Sequence, residues 1–328
     1  MLLFAGERLY LQARPSMANT AAIVSPPVRT TGSSLARNRR RAAVLFIAPA
    51  TVLLLAIFVY PFVYALYISF TQWTLGQQPV PTWAGFGNYA SLVGDGRFLN
   101  AIFRSAVFVG LAVSIELVLG FLLALLFNKH LPAFGIFRTL AVLPVMVMPV
   151  ATGLVWFYIL NFRYGPLNAL LRSLHLPTQN WLPNPTGAMA ALILADVWQW
   201  TPFVMIVLVA GLRSLPEYVY EAAELDGLRP VETFFKITLP LLRPVILIVF
   251  LLRFMDAFKL MDLVFMLTKG GPAGRTETLS YYIYVMGLQL FRVGLAAAVS
   301  ILFLIFISIA TQIFVRYMYR EQTGDEFA

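Results

Sequence analysis

Long apolar runs alternate with short polar breaks along most of this chain. Six windows carry the roughly 20 predominantly apolar residues that a helix needs to cross a hydrocarbon core about 30 Å thick. They lie over residues 42–70, 102–127, 137–160, 187–211, 240–266 and 293–316. In lipid such a segment satisfies its backbone polar groups within itself only as a helix, so the pattern predicts an all-α membrane protein with six transmembrane helices. Pro61 interrupts the first window near its end, and Trp73 and Trp83 follow where amphipathic rings sit at a water interface. The break at 161–186, with Gly165-Pro166 and the run WLPNPT, reads as an ordered loop in which no helix continues.

Composition agrees with a life in lipid. With 60% hydrophobic and 12% charged residues, the chain has too little polar surface to cover a soluble globule of its size. A formal charge of +9 raises the question of nucleic acid, but the placement of Lys and Arg answers it differently. With the N-terminus inside, the inner segments hold 15 of the 24 basic residues, among them Arg37, Arg39, Arg40 and Arg41, and the outer segments hold 7. Arg253 and Lys259 fall inside the fifth window. The positive-inside rule therefore favours both termini in the cytoplasm, and an even number of spans agrees by putting them on one side. The absence of cysteine excludes disulfides and thiolate metal sites, and two histidines, His130 and His175, do not make a His-rich one. Residues 1–41 read as a basic, disordered cytoplasmic tail, 42–319 as the six-span domain, and 320–328 as a short cytoplasmic tail.

Four sites stand out against the apolar background. In the fifth window Arg253, Asp256, Lys259 and Asp262 recur every three residues with alternating sign, so neighbours on one helix can neutralise each other. Charges in a span are costly unless paired or hydrated, which leaves two readings: an ion-pair ladder at a helix interface, or a row facing a water-filled cavity. The fourth window holds Asp196, Trp198, Gln199, Trp200 and Thr201 before a kinking Pro202. Aromatic faces there suit the apolar faces of sugar rings, and carboxylates and amides suit hydroxyl groups. Glu116 sits near the centre of the second window, where an interhelical hydrogen bond or a proton-coupling role fits.

The fourth site is a charged, proline-punctuated island, EYVYEAAELDGLRPVETFFKITLPLLRP, from Glu217 to Pro244. Glu217–Leu225 reads as a short helix stopped at Gly227, a residue that takes the left-handed conformation at little cost. Pro230 opens a second short helix, which Pro240 ends. Glu221, Ala222, Ala223, Asp226, Gly227, Phe235 and Pro240 at this spacing resemble the cytoplasmic Glu-Ala-Ala loop of ABC-importer permeases; Leu228 stands where alanine is commoner. Two further stretches carry the resemblance. DVWQWTPF is similar to the fourth-helix motif of carbohydrate permeases. FKLMDLVFMLTKGGPAGRTETLSYYIY is similar to a segment of the first, maltose- or glycerol-phosphate-type subunit.

The resemblance covers roughly Arg41 to Tyr319 and implies an ABC type I importer permease fold in a bacterial or archaeal cytoplasmic membrane. It implies that the loop within 213–240 meets an ATPase, that Asp196, Trp198, Gln199, Trp200, Arg253, Asp256, Lys259 and Asp262 line the substrate pathway, and that Gly270, Gly271 and Pro272 touch an extracytoplasmic sugar-binding protein. The implied partners are a second permease subunit in a heterodimer, two ATP-binding subunits and membrane lipid, with no nucleic acid. No G-x-x-x-x-G-K-[ST] phosphate loop occurs in the chain, so it is expected to be no enzyme and to bind no cofactor, with ATP and Mg held by the partner ATPase. A carbohydrate is the expected cargo. An anionic sugar derivative or glycerol phosphate in the same machine, or an autonomous ion-coupled transporter, are the alternatives.

Overall fold

The computed structural model describes residues 32–128 and 139–324. Most of the expected tail 1–41, most of the basic turn Asn128–Arg138 with His130, and residues 325–328 lie outside them. The chain divides into two units. The first, ending at Tyr60, is helical from α1 (Gly32–Leu54) through a π turn at Leu55–Val59. The expectation of a disordered tail up to residue 41 therefore fails over 32–41, where Ala and Arg, both good helix formers, are carried into the helix.

The second unit, from Pro61 onward, holds every site described below. It contains α2 (Tyr60–Ser69) apart from its first residue, a two-stranded antiparallel ribbon of β1 (Thr71–Gln72) and β2 (Thr82–Trp83), α3 (Gly87–Val93) and α4 (Gly96–Phe127). After the gap come α5 (Thr139–Met146), α6 (Pro149–Ile159), α7 (Pro166–Ser173) and α8 (Pro185–Ser214). The remainder is α9 (Glu217–Leu225), α10 (Pro230–Phe258), α11 (Asp262–Leu267), α12 (Leu279–Tyr284) and α13 (Val293–Gly324). The helical runs Val44–Ser69, α4, α8, α10 and Val293–Met318 within α13 are long and apolar enough to cross a membrane.

The third expected span is the exception. α5 and α6 meet at 105°. Pro149 has no N–H to continue the ladder and holds Met148 extended, at ψ 138°. The fifth window is also redrawn, at both ends. α10 runs on to Phe258 from Pro230, not from Pro240, and a break at Lys259–Met261 separates it from α11. Pro240 does not end a short helix, because a π turn at Phe234–Thr238 precedes it. Leu239 N–H donates to the carbonyl of Phe234, five residues back, and this wider turn absorbs the bond that proline cannot make. Within 161–186, Pro166 occupies the first turn of α7, a position where proline favours a helix, so the expected loop contains one. At the other end α13 continues past residue 320.

Packing converges on α4, α8 and α10, each in contact with the other two. Glycine sets the close approach. A Cβ on Gly120 would lie 2.6 Å from Val204 Cγ1, and one on Gly211 would lie 2.9 Å from Leu242 Cδ1. Small residues also permit close approach at the start of α13: Ala296 and Ala298 are buried, and Gly294 abuts the backbone of Thr71.

Candidate functional site: a buried charge hub beside a polar cavity

One guanidinium ties the three central helices together. Arg253 of α10 is 1% exposed. Its Nε donates to Glu116 Oε2 of α4 at 2.7 Å, and its Nη2 to Glu116 Oε1 and to Asp196 Oδ2 of α8, both at 2.9 Å. Its Nη1 donates to Asp256 Oδ2 at 3.0 Å, one turn further along α10. The guanidinium also sits 4.7 Å from the ring centre of Trp200, a cation–π distance. Glu116 thus makes the interhelical bond expected of it, as an ion pair. Sequence spacing showed the row on α10 but not that the main partners of Arg253 are on other helices.

The row itself is shorter than expected. Lys259 Nζ pairs with Asp256 Oδ1 at 3.2 Å, but the helix stops there, and Asp262 begins α11 beyond the break, outside the ladder. The break brings the charges to one place. Asp196, Gln199, Trp200, Asp256, Lys259 and Asp262 line a cavity of about 200 Å³ together with Pro149 and Met261. Six of the eight pathway residues expected from sequence therefore share it, and Arg253 lies buried behind its wall. Trp198 does not: it is on another face of α8, half exposed, edge-on to Trp156 at 6.1 Å.

Gln199 has a role that sequence reasoning missed. Its Nε2 donates to the carbonyl of Val147 at 2.7 Å, across the α5–α6 break. That carbonyl has lost its place in a helical ladder, and the buried amide of Gln199 answers it. The same side chain therefore lines the cavity and holds the bend that delivers Pro149 to it.

A second cavity, of about 600 Å³, is built around the Gly270-Gly271-Pro272 turn and is lined by Arg97, Asn100, Lys269, Gly270, Gly271 and Glu277 among others. Arg97 clamps the buried Glu277 with two nitrogens, at 2.8 to 3.2 Å, and Asn100 donates to the carbonyl of Gly274 at 2.9 Å. Nearby, Asp95 caps α4 and accepts from Tyr282 Oη at 2.8 Å. Burial opposes the charge on Asp95. The Tyr282 bond, two backbone N–H groups and Arg97 outweigh it, so its pKa falls below the ordinary value. The same burial and the same bond push the Tyr282 phenol well up. Glu277 and Arg97 were not singled out in the sequence, because a single carboxylate in a loop pattern carries no period to betray burial.

In the island, α9 and the Gly227 corner form as expected, with Gly227 at φ +71°. Glu221, Ala222, Asp226, Phe235 and Pro240 are exposed, whereas Ala223 is buried against its own chain and offers no surface to a partner.

A bundle of membrane-length helices that keeps paired charges and a polar cavity beside its three central members has the architecture of a membrane transport protein. Residues 85–323 match the family described as binding-protein-dependent transport system inner membrane component, and the chain belongs to it. It is 33% identical over 273 residues to the trehalose/maltose transport system permease protein MalF of Thermococcus litoralis, covering 82% of this chain and 91% of that one. It is 31% identical over 296 residues to the trehalose transport system permease protein SugA of Mycobacterium tuberculosis, covering 90% and 94%. Among solved structures, a chain of a bacterial ABC transporter involved in the import of the acidic polysaccharide alginate shares the fold, with a TM-score of 0.76 at 24% identity, covering 88% of this chain and 99% of that one. The resemblance to ABC-importer permeases of the carbohydrate-uptake type, read from the motifs, holds.

Proposed function

We propose that this chain forms half of the translocation pathway of an ATP-driven, binding-protein-dependent importer for a carbohydrate, an oligosaccharide, monosaccharide or polyol. The observation that carries this reading is the cavity beside α8 and α10, where carboxylates, an amide, an ammonium and an indole converge in an otherwise apolar bundle. Those groups suit a ligand with hydroxyl groups on its edges and apolar ring faces. The trehalose and maltose names of the relatives point the same way.

In this reading both termini are cytoplasmic in a bacterial or archaeal inner membrane, with the Lys and Arg bias as support. The exposed surface of α9 and the Gly227 corner docks on one of two ATP-binding subunits, which hold ATP and Mg. A second permease subunit supplies the other half of the pathway, and the Gly270-Gly271-Pro272 turn faces the sugar-binding protein. Reconstitution in proteoliposomes tests the whole. Uptake should require the ATPase pair, the second permease and the binding protein together, and uptake by this chain driven by an ion gradient alone would overturn the proposal.

A further inference from the structure

The relatives and the charges on α10 leave the sign of the cargo's charge open, and the cavity decides it. All three nitrogens of Arg253 are engaged, in four hydrogen bonds to Glu116, Asp196 and Asp256, and the side chain is 1% exposed. One of the two cations in the row of charges is thus withdrawn from the cavity. Lys259 remains at the cavity but is shared with Asp256 at 3.2 Å. Asp262, an exposed member of the same lining, has no ion pair among the described residues. Glu116 and Asp196 are thus engaged by Arg253 and Asp256 by Lys259, which leaves Asp262 as the one excess charge at the cavity. The excess is negative, and a low-dielectric wall strengthens it.

We propose that this cavity selects a neutral or cationic sugar ring and rejects an anionic one, with Asp262 as the residue that sets the sign. The proposal rests on the assignment of the cavity to cargo. Carboxylates accept hydrogen bonds from hydroxyls and ammonium groups but offer nothing to a sulfonate, phosphate or uronate. A cavity of about 200 Å³ is smaller than the roughly 300–1,000 Å³ typical of drug-sized ligands and matches one ring of a longer cargo.

The test uses three probes that differ in charge and little in size: methyl glucoside, methyl glucuronoside and the methyl glycoside of glucosamine. The chain, assembled with its partner permease in lipid nanodiscs, is titrated with each by ligand-observed NMR. The neutral and cationic probes should saturate at least about tenfold below the anionic one, a margin expected from one excess charge at close range. Asp262→Asn should narrow that gap, and Asp262→Lys should reverse it. Because Asp262 is exposed and outside the hub, neither change should alter folding, which a thermal melt of the same sample verifies. Equal or stronger binding of the glucuronoside to the native chain would overturn the charge rule and leave the cargo cavity standing. Saturation by none of the three would overturn both.

Discussion

At the scale of single residues, the hub around Arg253 ranks first by energy. Removing one member of a buried pair leaves an uncompensated charge and costs about 3–5 kcal/mol. Arg253→Met should therefore lower the thermal midpoint in detergent sharply. Adding Glu116→Leu and Asp196→Asn should recover part of the loss, because the stranded carboxylates are then gone. Gln199 acts through a hydrogen bond instead. Gln199→Leu leaves the Val147 carbonyl without its donor, at a cost of about 1–3 kcal/mol. Amide exchange over 147–152 should rise in that variant, with uptake reduced several-fold. At Gly227 the backbone decides: its φ of +71° is open to glycine and closed to proline, and its N–H donates to the carbonyl of Glu224 at 3.0 Å. Gly227→Pro should stop uptake while the membrane helices still insert, and Gly227→Asn should retain much of the activity. Native-rate transport by the proline variant would sink the docking role of this corner.

At the scale of elements, the apolar windows announced the long helices, because twenty lipid-facing residues leave a pattern no polar loop imitates. The ends and breaks were harder to read. Proline has two meanings in a helix, and composition does not separate them: Pro149 breaks a span, while Pro240 rides inside one because a π turn precedes it. The end of α10 at Phe258 was hidden for a related reason, since the apolar pattern runs through the break into α11. Contacts between elements are set by small residues that only the fold brings into register. At Gly120, a methyl group would intrude on Val204, so Gly120→Ala should destabilise the α4–α8 pair. Val204→Ala in the same chain should restore the melting midpoint, and failure of that rescue would separate the loss from this contact.

At the scale of the whole molecule, orientation is open to a simple experiment. The chain has no cysteine, so single cysteines introduced at Leu225 and at Ala273 are the only thiols present. The first, on the 90% exposed Leu225 of the corner, should react with an impermeant reagent from the cytoplasmic face, and the second from the opposite face. Labelling of both from one side would reject the proposed topology. The family and the shape of the island were legible from local motifs, since a helix stopped at a glycine corner is written in consecutive residues. The charge hub was legible only as its parts: Glu116, Asp196 and Arg253 were each conspicuous in an apolar window, but their meeting depends on three helices 57 to 137 residues apart in sequence. One consequence belongs to α10. Since it is one continuous helix from Pro230 to Phe258, its tight contact with Gly211 at Leu242 can serve as a fulcrum. Leu242 lies about 18 Å from Pro230 and about 17 Å from Arg253, at 1.5 Å per residue. With arms of nearly equal length, a tilt imposed at the island swings the cavity wall by a similar distance in the opposite sense, neither amplified nor lost.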